Sequence, residues 1–451
     1  MQLWIAEGFV EKNELKSLED VAEDYVMALI SRSLILVAKE KSTGGVKTCR
    51  IHDLLHQFCV AKAKEENFLL LIHGYNELFS FVEPHNLRRL CIYSQPKDFV
   101  KSKIFFPRIR SLLFSTESGK SYEHFYNLSF VFCLKLLRVL DLGQINLGSV
   151  FPSEIAMLVH LRYLAVLGWM KEIPSSIAYL LNLETLLVTA YNGKFSLPDT
   201  IWSMQKLRHL HVTGVLFDLS LAKSNLENSL VLYNLDSFST PRIYLGQSIG
   251  VLMKKFPNVR NLKCSLSESN ASVGASHKIV VMDFLSRLES LELILHRANM
   301  HDVVFHFPLI LKKLTLRGFS WSIISTIAKL PNLEVLKLFN GGQDGVTIWE
   351  MEEGEFPKLK FLKLEYLDIV GWTGSGEHFP CLQKLVLVEC EKLEELPCCL
   401  GYISTLELIE VRWCQKSLVS SVRKIEEEYA RMGNVDLKIF VLENIEEELS
   451  M

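Results

Sequence analysis

Two histidines at helical spacing are the first candidates for chemistry in this sequence. The segment His52-Asp53-Leu54-Leu55-His56 approximates the HExxH motif of zinc proteases, with aspartate in place of glutamate. Spacing of i, i+4 places both imidazoles on one helical face, but aspartate reaches less far towards a metal-bound water. No third ligand can be identified, so the sequence predicts no metal site. A solvated or helix-capping pair is one alternative interpretation.

A second histidine pair, His209 and His211, lies on a predicted strand with both side chains on the same face. No ligand set accompanies it, and we interpret it as a polar recognition contact. No Ser/His/Asp order and no paired carboxylates can be read from the sequence, so catalysis has no support and the chain is predicted not to be an enzyme.

A repeating LxxLxL pattern supplies the elements that position these residues. Its fourteen starts have a mean spacing of about 24.5 residues, typical of leucine-rich repeats. The starts are Leu87, Ile109, Leu137, Leu161, Leu183, Leu207, Leu232, Val259, Leu288, Leu311, Leu333, Leu359, Leu382 and Leu406. The sequence therefore predicts an α/β fold, a leucine-rich-repeat solenoid of about 14 irregular repeats with parallel strands on its concave face.

Basic side chains dominate the concave positions of the first repeats. In the pattern, the residues between the leucines face the concave surface, and most charged ones in the first four repeats are arginines. The candidate partner-binding residues are Arg88, Arg89, Arg110, Arg138, Arg162, Arg208, His209 and His211. An acidic protein surface would suit them, because arginine binds carboxylates with defined geometry. The alternative is a solvated face on which arginine stems cover leucines.

The segments on either side of the repeats have different patterns. Residues 17–35 predict a helix opened by Ser17, residues 34–53 predict two strands around a glycine turn, and residues 53–66 predict another helix. Helix, hairpin and helix form the core of a winged-helix module. After the repeats, 417–432 predicts an amphipathic helix and 436–443 a strand, followed by an acidic tail. We predict three segments: winged helix at 1–82, repeats at 83–416, and a cap with tail at 417–451.

Composition narrows the class of protein. The chain has 451 residues, 49% of them apolar, and a net charge of −3, which argues against a disordered chain and against nucleic acid as a general partner. The ten cysteines are scattered, the N-terminus does not resemble a signal peptide, and no run of about 18 apolar residues occurs. We expect a cytoplasmic protein, free or peripheral at a membrane, without an integral membrane segment.

Three segments followed by these repeats carry a family resemblance: LWIAEGFV at 3–10, LEDVAEDYVMALISRSLI at 18–35 and CRIHDLLHQFC at 49–59. Together they resemble the second half of plant intracellular NLR immune receptors of the coiled-coil class, around the late blight resistance proteins. The resemblance implies a disease resistance protein whose repeats sense pathogen effectors, directly or through a guarded host protein, and trigger the hypersensitive response. It also implies partners within the receptor, namely its own NB-ARC and coiled-coil domains.

The resemblance further implies a role for Ile51-His52-Asp53, which matches the family's MHD motif with isoleucine for methionine. In the family the histidine lies near the β-phosphate of bound ADP, so His52 would be the nucleotide sensor and Asp53 its support. The family's phosphate loop GxxxxGK[ST] does not occur in this sequence. We therefore expect no cofactor for this chain alone, and ADP or ATP only in a complete receptor.

Two other classes of leucine-rich-repeat protein are alternatives to this interpretation. An extracellular leucine-rich-repeat ligand-binding protein would have a signal peptide, flanking disulfides and a recurrent LxGxIP motif, and none of the three is present. A leucine-rich-repeat substrate adaptor for ubiquitin ligation would carry an F-box before the repeats, where this sequence has CRIHDLLHQFC instead.

Overall fold

A computed structural model describes residues 1–42, 45–74, 86–93, 106–115, 129–191, 195–214, 217–218, 230–245, 249–268, 278–296, 303–341, 345–374, 378–431, 433 and 436–442. The chain forms two compact units, one made of Met1–Lys41 and Gly45–Pro241, and the other including Arg242–Met451.

The first unit begins with two helices and a hairpin. The elements are α1 Gln2–Glu7, α2 Leu18–Ser31, β1 Ile35–Glu40, β2 Val46–Ile51 and α3 Asp53–Glu65. Ser17 caps α2 in a capping box with Asp20, as its position in the sequence predicts. The predicted extension of this helix to residue 35 is wrong: α2 ends at Ser31, Ser33 has a positive φ of 58°, and Ile35 already starts a strand that pairs antiparallel with β2.

The repeats of the first unit stack into a ladder of parallel strands. The ladder contains β3 Leu70–Ile72, β4 Arg89–Ile92, β5 Ser111–Phe114, β6 Val139–Asn146, β7 Tyr163–Gly168, β8 Thr185–Ala190, β9 His209–Thr213 and the start of β11 Ser237–Leu245; a short strand, β10, spans Phe217–Asp218. Their register superposes the leucines of successive repeats, as in Leu90 opposite Leu112, and these leucines are fully buried. Each repeat thereby completes its neighbour's core.

The second unit continues the same repeat. It contains α4 Ile249–Met253, β12 Asn261–Glu268, β13 Lys278–Val281, β14 Ser290–Leu295, β15 Val303–His306, β16 Lys313–Arg317, α5 Ile324–Ile327, β17 Val335–Phe339, β18 Ile348–Glu350, β19 Phe361–Glu365, β20 Gly371–Thr373, β21 Lys384–Val388, β22 Leu408–Arg412, α6 Lys416–Arg431 and β23 Lys438–Leu442. Parallel pairing runs β12, β14, β16, β17, β19, β21, β22 and β23. Two small parallel pairs, β13 with β15 and β18 with β20, lie beside this ladder.

The predicted leucine-rich-repeat solenoid is confirmed, because a strand follows each of the fourteen predicted starts. Between strands, the chain turns through short 3₁₀ helices, and Pro152, Pro174, Pro198 and Pro397 each precede one. Proline suits these positions because its fixed φ favours the bend and it donates no hydrogen bond to a ladder.

Both elements predicted after the repeats are present. Helix α6 is amphipathic, with Leu418, Val422 and Ile425 buried, and β23 pairs with β22 and so adds a last strand to the ladder. The proposed division at residues 82 and 416 stays a prediction; β3, although it lies before residue 83, pairs in register with the first repeat strand. The acidic tail at 443–451 lies outside the described residues.

Candidate protein-interaction site

The concave face of the first unit presents side chains in columns that run across the strands. The column nearest the strand starts contains Arg88, Arg110, Arg138, Arg162, Glu184, Arg208 and Asp236. The next column follows the pairing of Arg89, Ser111, Val139, Tyr163, Thr185, His209 and Ser237. Neighbouring strands of a sheet are about 4.8 Å apart, so each column brings residues far apart in sequence into contact.

Helix α1 packs directly on this concave face. Ala6 is buried against Val139, Tyr163 and Ala165 of β6 and β7, and Leu3 packs at the edge of the same cluster. The concave face is therefore not solvated at β6 and β7, because α1 covers the apolar residues that these strands present there.

Glu7, the last residue of α1, binds the side chain of Arg89. The carboxylate of Glu7 accepts a hydrogen bond from Nε of Arg89 at 3.0 Å and another from the hydroxyl of Ser111. The Arg89 guanidinium also lies over the rings of Phe9 and Phe68, 4.9 and 4.3 Å from their centroids. Arginine stacked on aromatic rings and paired with a carboxylate is held in one geometry, so Arg89 belongs to an internal contact.

Helix α2 makes the second contact through Glu19. Its carboxylate accepts a hydrogen bond from Nε of Arg208 at 2.8 Å, and a second bond from the same guanidinium completes a forked pair. Nε2 of His209 lies 2.9 Å from Oε1 of the same carboxylate. The side chains of Glu19 and Arg208 are 18% and 19% exposed, which makes this a largely desolvated ion pair.

The Glu19 contact continues into a chain of hydrogen bonds across β9 and β11. Nδ1 of His209 is 2.7 Å from Oγ of Ser237, which is 2.9 Å from Nε2 of His211, and Nδ1 of His211 is 2.8 Å from Oγ of Ser239. One proton arrangement satisfies every bond with neutral histidines: Ser239 donates to His211, His211 to Ser237, Ser237 to His209, and His209 to Glu19.

The electrostatics agree with this arrangement. Burial is the main reason that the pKa of His211 is lowered to about 4, and the neighbouring His209 imidazole lowers it further, so His211 is neutral near pH 7. Burial by itself raises the pKa of Glu19, but hydrogen bonds from His209 and Arg208 outweigh it and hold that pKa well below its ordinary value. Glu19 is therefore an anion that accepts all of these bonds.

A serine, histidine and glutamate in hydrogen-bond contact also describe a hydrolytic triad, which the sequence does not reveal. Here Ser237 and His209 are only 6% and 4% exposed, and the Ser237 hydroxyl is shared between two histidines. A nucleophile must reach a substrate carbonyl. The geometry supports a packed polar network that fixes α2 on the repeats.

Four arginines of the first column remain on the open part of the face; we call Arg88, Arg110, Arg138 and Arg162 the arginine column. Successive members are joined by backbone hydrogen bonds of 2.7 Å from N–H to carbonyl. Arg88, Arg110 and Arg138 form no ion pair with another described residue, and Arg162 approaches Glu184 at 3.9 Å. Burial, and then the charges of Arg110 and Arg162, lower the pKa of Arg138, as expected where like charges are stacked.

Asp141, the acidic residue on these strands, does not neutralise the arginine column. Its carboxylate accepts hydrogen bonds from the Gly143 backbone N–H at 2.9 Å and from the Tyr163 hydroxyl at 3.5 Å, and burial raises its pKa. Among the residues that the structure describes, Glu184 lies within ion-pair distance of Arg162, whereas Arg88, Arg110 and Arg138 have no ion-pair partner.

The structure places His52 and Asp53 at the start of α3. His52 is the N-cap residue, with Nδ1 accepting a hydrogen bond from the Leu54 N–H at 3.3 Å, and Asp53 opens the helix. Both are exposed, as are Leu54 at 72% and Phe58 at 64%. Helix α3 therefore presents an apolar face to solvent, and the helix-capping interpretation of His52 describes this geometry.

Four further residues, Glu7, Glu19, Ser237 and Ser239, complete the site without having been predicted from the sequence. Acidic residues are common in the first turn of a helix because they interact favourably with the helix dipole. The position of Glu19 in the sequence therefore gives no sign of its contact with the repeats. Its partner Arg208 is 189 positions away. Within the described residues, no group of three or more potential ligands could hold a metal ion. No helix in that part of the chain is both long and apolar enough to cross a bilayer.

Both regions of the chain resemble known proteins. Residues 1–59 match the disease resistance protein winged helix domain, and residues 108–324 match the leucine-rich repeat region family. The Listeria monocytogenes InlJ functional domain, a solved structure, aligns with a TM-score of 0.44 and 13% identity over 78% of this chain and 66% of that one. That level of likeness carries no functional information.

Curated relatives match nearly the whole chain. Late blight resistance protein R1-A of Solanum demissum is 35% identical over 98% of this chain and 35% of its own length. Putative late blight resistance protein homolog R1B-23 of the same species is also 35% identical, over 98% of this chain and 36% of its own length. The chain thus spans about a third of the length of these two relatives. Together with the two family-model matches, this similarity supports the interpretation of the chain as resembling the winged-helix and leucine-rich-repeat part of the late blight resistance proteins.

Proposed function

We propose that this chain is the recognition and autoinhibition part of an intracellular NLR immune receptor. In this proposal the later repeats bind a pathogen effector or a guarded host protein. The winged-helix segment passes that binding to a nucleotide switch, with ADP or ATP held by the receptor's NB-ARC domain, and the outcome is the hypersensitive response. The chain itself would perform no catalysis, in keeping with a family and fold suited to recognition.

The observation that supports coupling most directly is the contact of α1 and α2 with the concave strands. Glu7 and Glu19 join the winged-helix segment to Arg89 and Arg208, more than 80 residues away in sequence. A ligand that binds these repeats with different affinity in the docked and released states would shift the equilibrium between them. The exposed apolar face of α3, with Leu54 and Phe58, supports a further contact between this segment and another domain.

The arginine column supplies a candidate dock for the receptor's nucleotide-binding half. Three of its four stacked arginines have no ion-pair partner among the described residues, and such arginines favour a carboxylate-rich surface. A linked domain needs only a weak interface, because tethering gives an effective concentration of order millimolar.

Reversing charge in this column is expected to weaken that interface. The double variant Arg110→Glu and Arg138→Glu should reduce co-precipitation of this chain with the separately expressed nucleotide-binding half of a relative by about tenfold or more, because like charges would then face each other. Added salt should mimic the variant, since exposed charges are screened over about 8–10 Å. The matched control reverses the exposed Lys135 and Lys171, which lie outside the column. Association that survives both the double variant and high salt would reduce the column to a solvated face.

The nucleotide-sensor role of His52 has its own test. In a complete receptor, His52→Ala should remove a contact that favours the ADP-bound resting state and so cause cell death without a ligand. His56→Ala, one turn further along α3 and also exposed, is the control. A normally accumulating His52→Ala receptor that stays silent would contradict the sensor role and leave His52 as a helix cap.

A further inference from the structure

A cleft in the second unit has the features of a small-molecule site. It has a volume of about 450 Å³, within the range of ligand pockets. It lies between the turn that contains Trp321 and α5 on one side, and β18 with the following residues up to Glu355 on the other. Nothing in the proposed receptor function uses it.

The floor of the cleft is aromatic and rigid. Trp349 is 3% exposed and stacks on Trp372 with ring centroids 4.7 Å apart. The centroid of the Trp321 ring lies 5.6 Å from that of the Trp349 ring. Pairing of β18 with β20 places Trp349 opposite Trp372 and so fixes its ring. Ile324 adds a buried aliphatic side chain. An apolar body could pack on this floor.

Two buried polar groups of the cleft lack hydrogen-bond partners among the described residues. Oε2 of Glu355 has none, although this side chain lines the cleft and the residue is only 6% exposed. Nε1 of Trp349 also has none, whereas the neighbouring Trp372 N–H donates to Sδ of Met351 at 3.1 Å. Unpartnered buried polar groups are costly in a native fold, so each calls for an explanation such as a functional role or a bound species.

Charge selects the kind of ligand. Glu350 and Glu352 lie at the exposed rim of the cleft, and none of its described lining residues is basic. Burial raises the pKa of Glu355, and a backbone hydrogen bond at Glu352 and the charge of Lys329, which lies outside the lining, oppose this shift. Three carboxylates repel anions, while aromatic rings and carboxylates together attract organic cations. Backbone contacts hold Glu355 in place, because the next N–H, that of Phe356, donates to the Ala328 carbonyl at 2.8 Å.

We propose that this cleft binds a small organic cation, a protonated amine that carries an oxygen acceptor and an apolar body. The ammonium pairs with Glu355 below the acidic rim, the oxygen accepts the Trp349 N–H, and the apolar body packs on Trp321 and Ile324. Each group of the ligand thus has a partner in the cleft.

Calorimetry on the complete chain with three compounds of one skeleton tests this assignment. The probes are 2-amino-1-phenylethanol, the neutral 1-phenylethane-1,2-diol and the anionic mandelate. The amine should bind at least about tenfold more tightly than the diol, because a hydrogen bond to a buried charge is stronger than a neutral one. Mandelate should show no binding.

Variants locate the site. Glu355→Gln keeps the shape of the side chain and removes its charge, so amine affinity should fall about tenfold or more. Glu353→Gln, an exposed neighbour outside the lining, should change it less than about twofold. Glu355→Gln should not lower the thermal midpoint, since an unpaired buried charge is itself destabilising, and this separates lost binding from lost folding. Equal binding of the diol or mandelate, unchanged amine affinity in Glu355→Gln, or no amine binding up to about 10 mM would each overturn the proposal.

Discussion

Glu19→Ala is expected to release α2 from the repeats. The substitution removes the anion that receives Arg208 and His209, and it leaves a largely buried guanidinium without its partner. Breaking a buried ion pair on one side costs about 3 kcal/mol or more. The amides of α2 and β9 should then exchange their hydrogens about a hundredfold faster, because each 1.4 kcal/mol of lost stability raises the population of the open state tenfold.

Helix α2 offers its own control. Glu23 pairs with Lys41 at 2.7 Å, but both side chains are about half exposed, so Glu23→Ala should cost less than about 1 kcal/mol. Exchange rates that are alike in Glu19→Ala and Glu23→Ala would mean that the Glu19 contact contributes little to docking. If adding Arg208→Glu to a Glu19→Arg variant restores slow amide exchange, the docking of α2 depends on the charge pair and not on helix propensity.

The first unit is also expected to lose stability as the pH falls from about 6.5 to about 4. The folded-state pKa of His211 is about 4, below its ordinary value, so in this range the unfolded chain takes up a proton that the folded chain does not. The free energy of unfolding therefore decreases with falling pH, by at most roughly 3 kcal/mol in total. Glu19 extends the loss to lower pH, because its pKa is lowered in the folded state as well.

His211→Gln should flatten this pH dependence between about 6.5 and 4. Glutamine is neutral throughout, and it can still donate and accept hydrogen bonds between Ser237 and Ser239. His160→Gln, which changes an exposed histidine, is the control and should keep the wild-type slope. Denaturant titrations at several pH values measure the slopes, and a wild-type slope in His211→Gln would assign the acid sensitivity to other groups.

Local and periodic features of this protein could be predicted from its sequence. Ser17 and Asp20 specify the start of α2 within four residues, and the LxxLxL spacing specifies fourteen strands, because each repeat has the same requirement to bury its leucines against its neighbours. The predicted end of α2 at residue 35 is wrong, because Ser33 has a positive φ and leaves the helical conformation, and Ile35 begins a strand.

The sequence predicts which residues lie on the concave surface, but not which of them are bound by other parts of the chain. Repeat spacing alone brings Arg88, Arg110, Arg138 and Arg162 into one column, because a solenoid converts a period along the chain into neighbours in space. Arg89 and Arg208 belong to the same pattern, yet they are bound by Glu7 and Glu19. No periodicity relates an acidic residue in the first segment to an arginine so far along the chain.

The sequence by itself thus determined the repeat fold, the resemblance to disease resistance proteins and the excess of arginine on the first concave strands, because these depend on residue types at fixed local spacing. Only the tertiary structure decided which of those arginines are neutralised, that His209 and His211 share a buried hydrogen-bond chain, and that Glu355 and Trp349 line one cleft. The physical reason is that ion pairing, burial and cavity formation depend on distances between residues remote in sequence, and these distances exist only after the chain has packed.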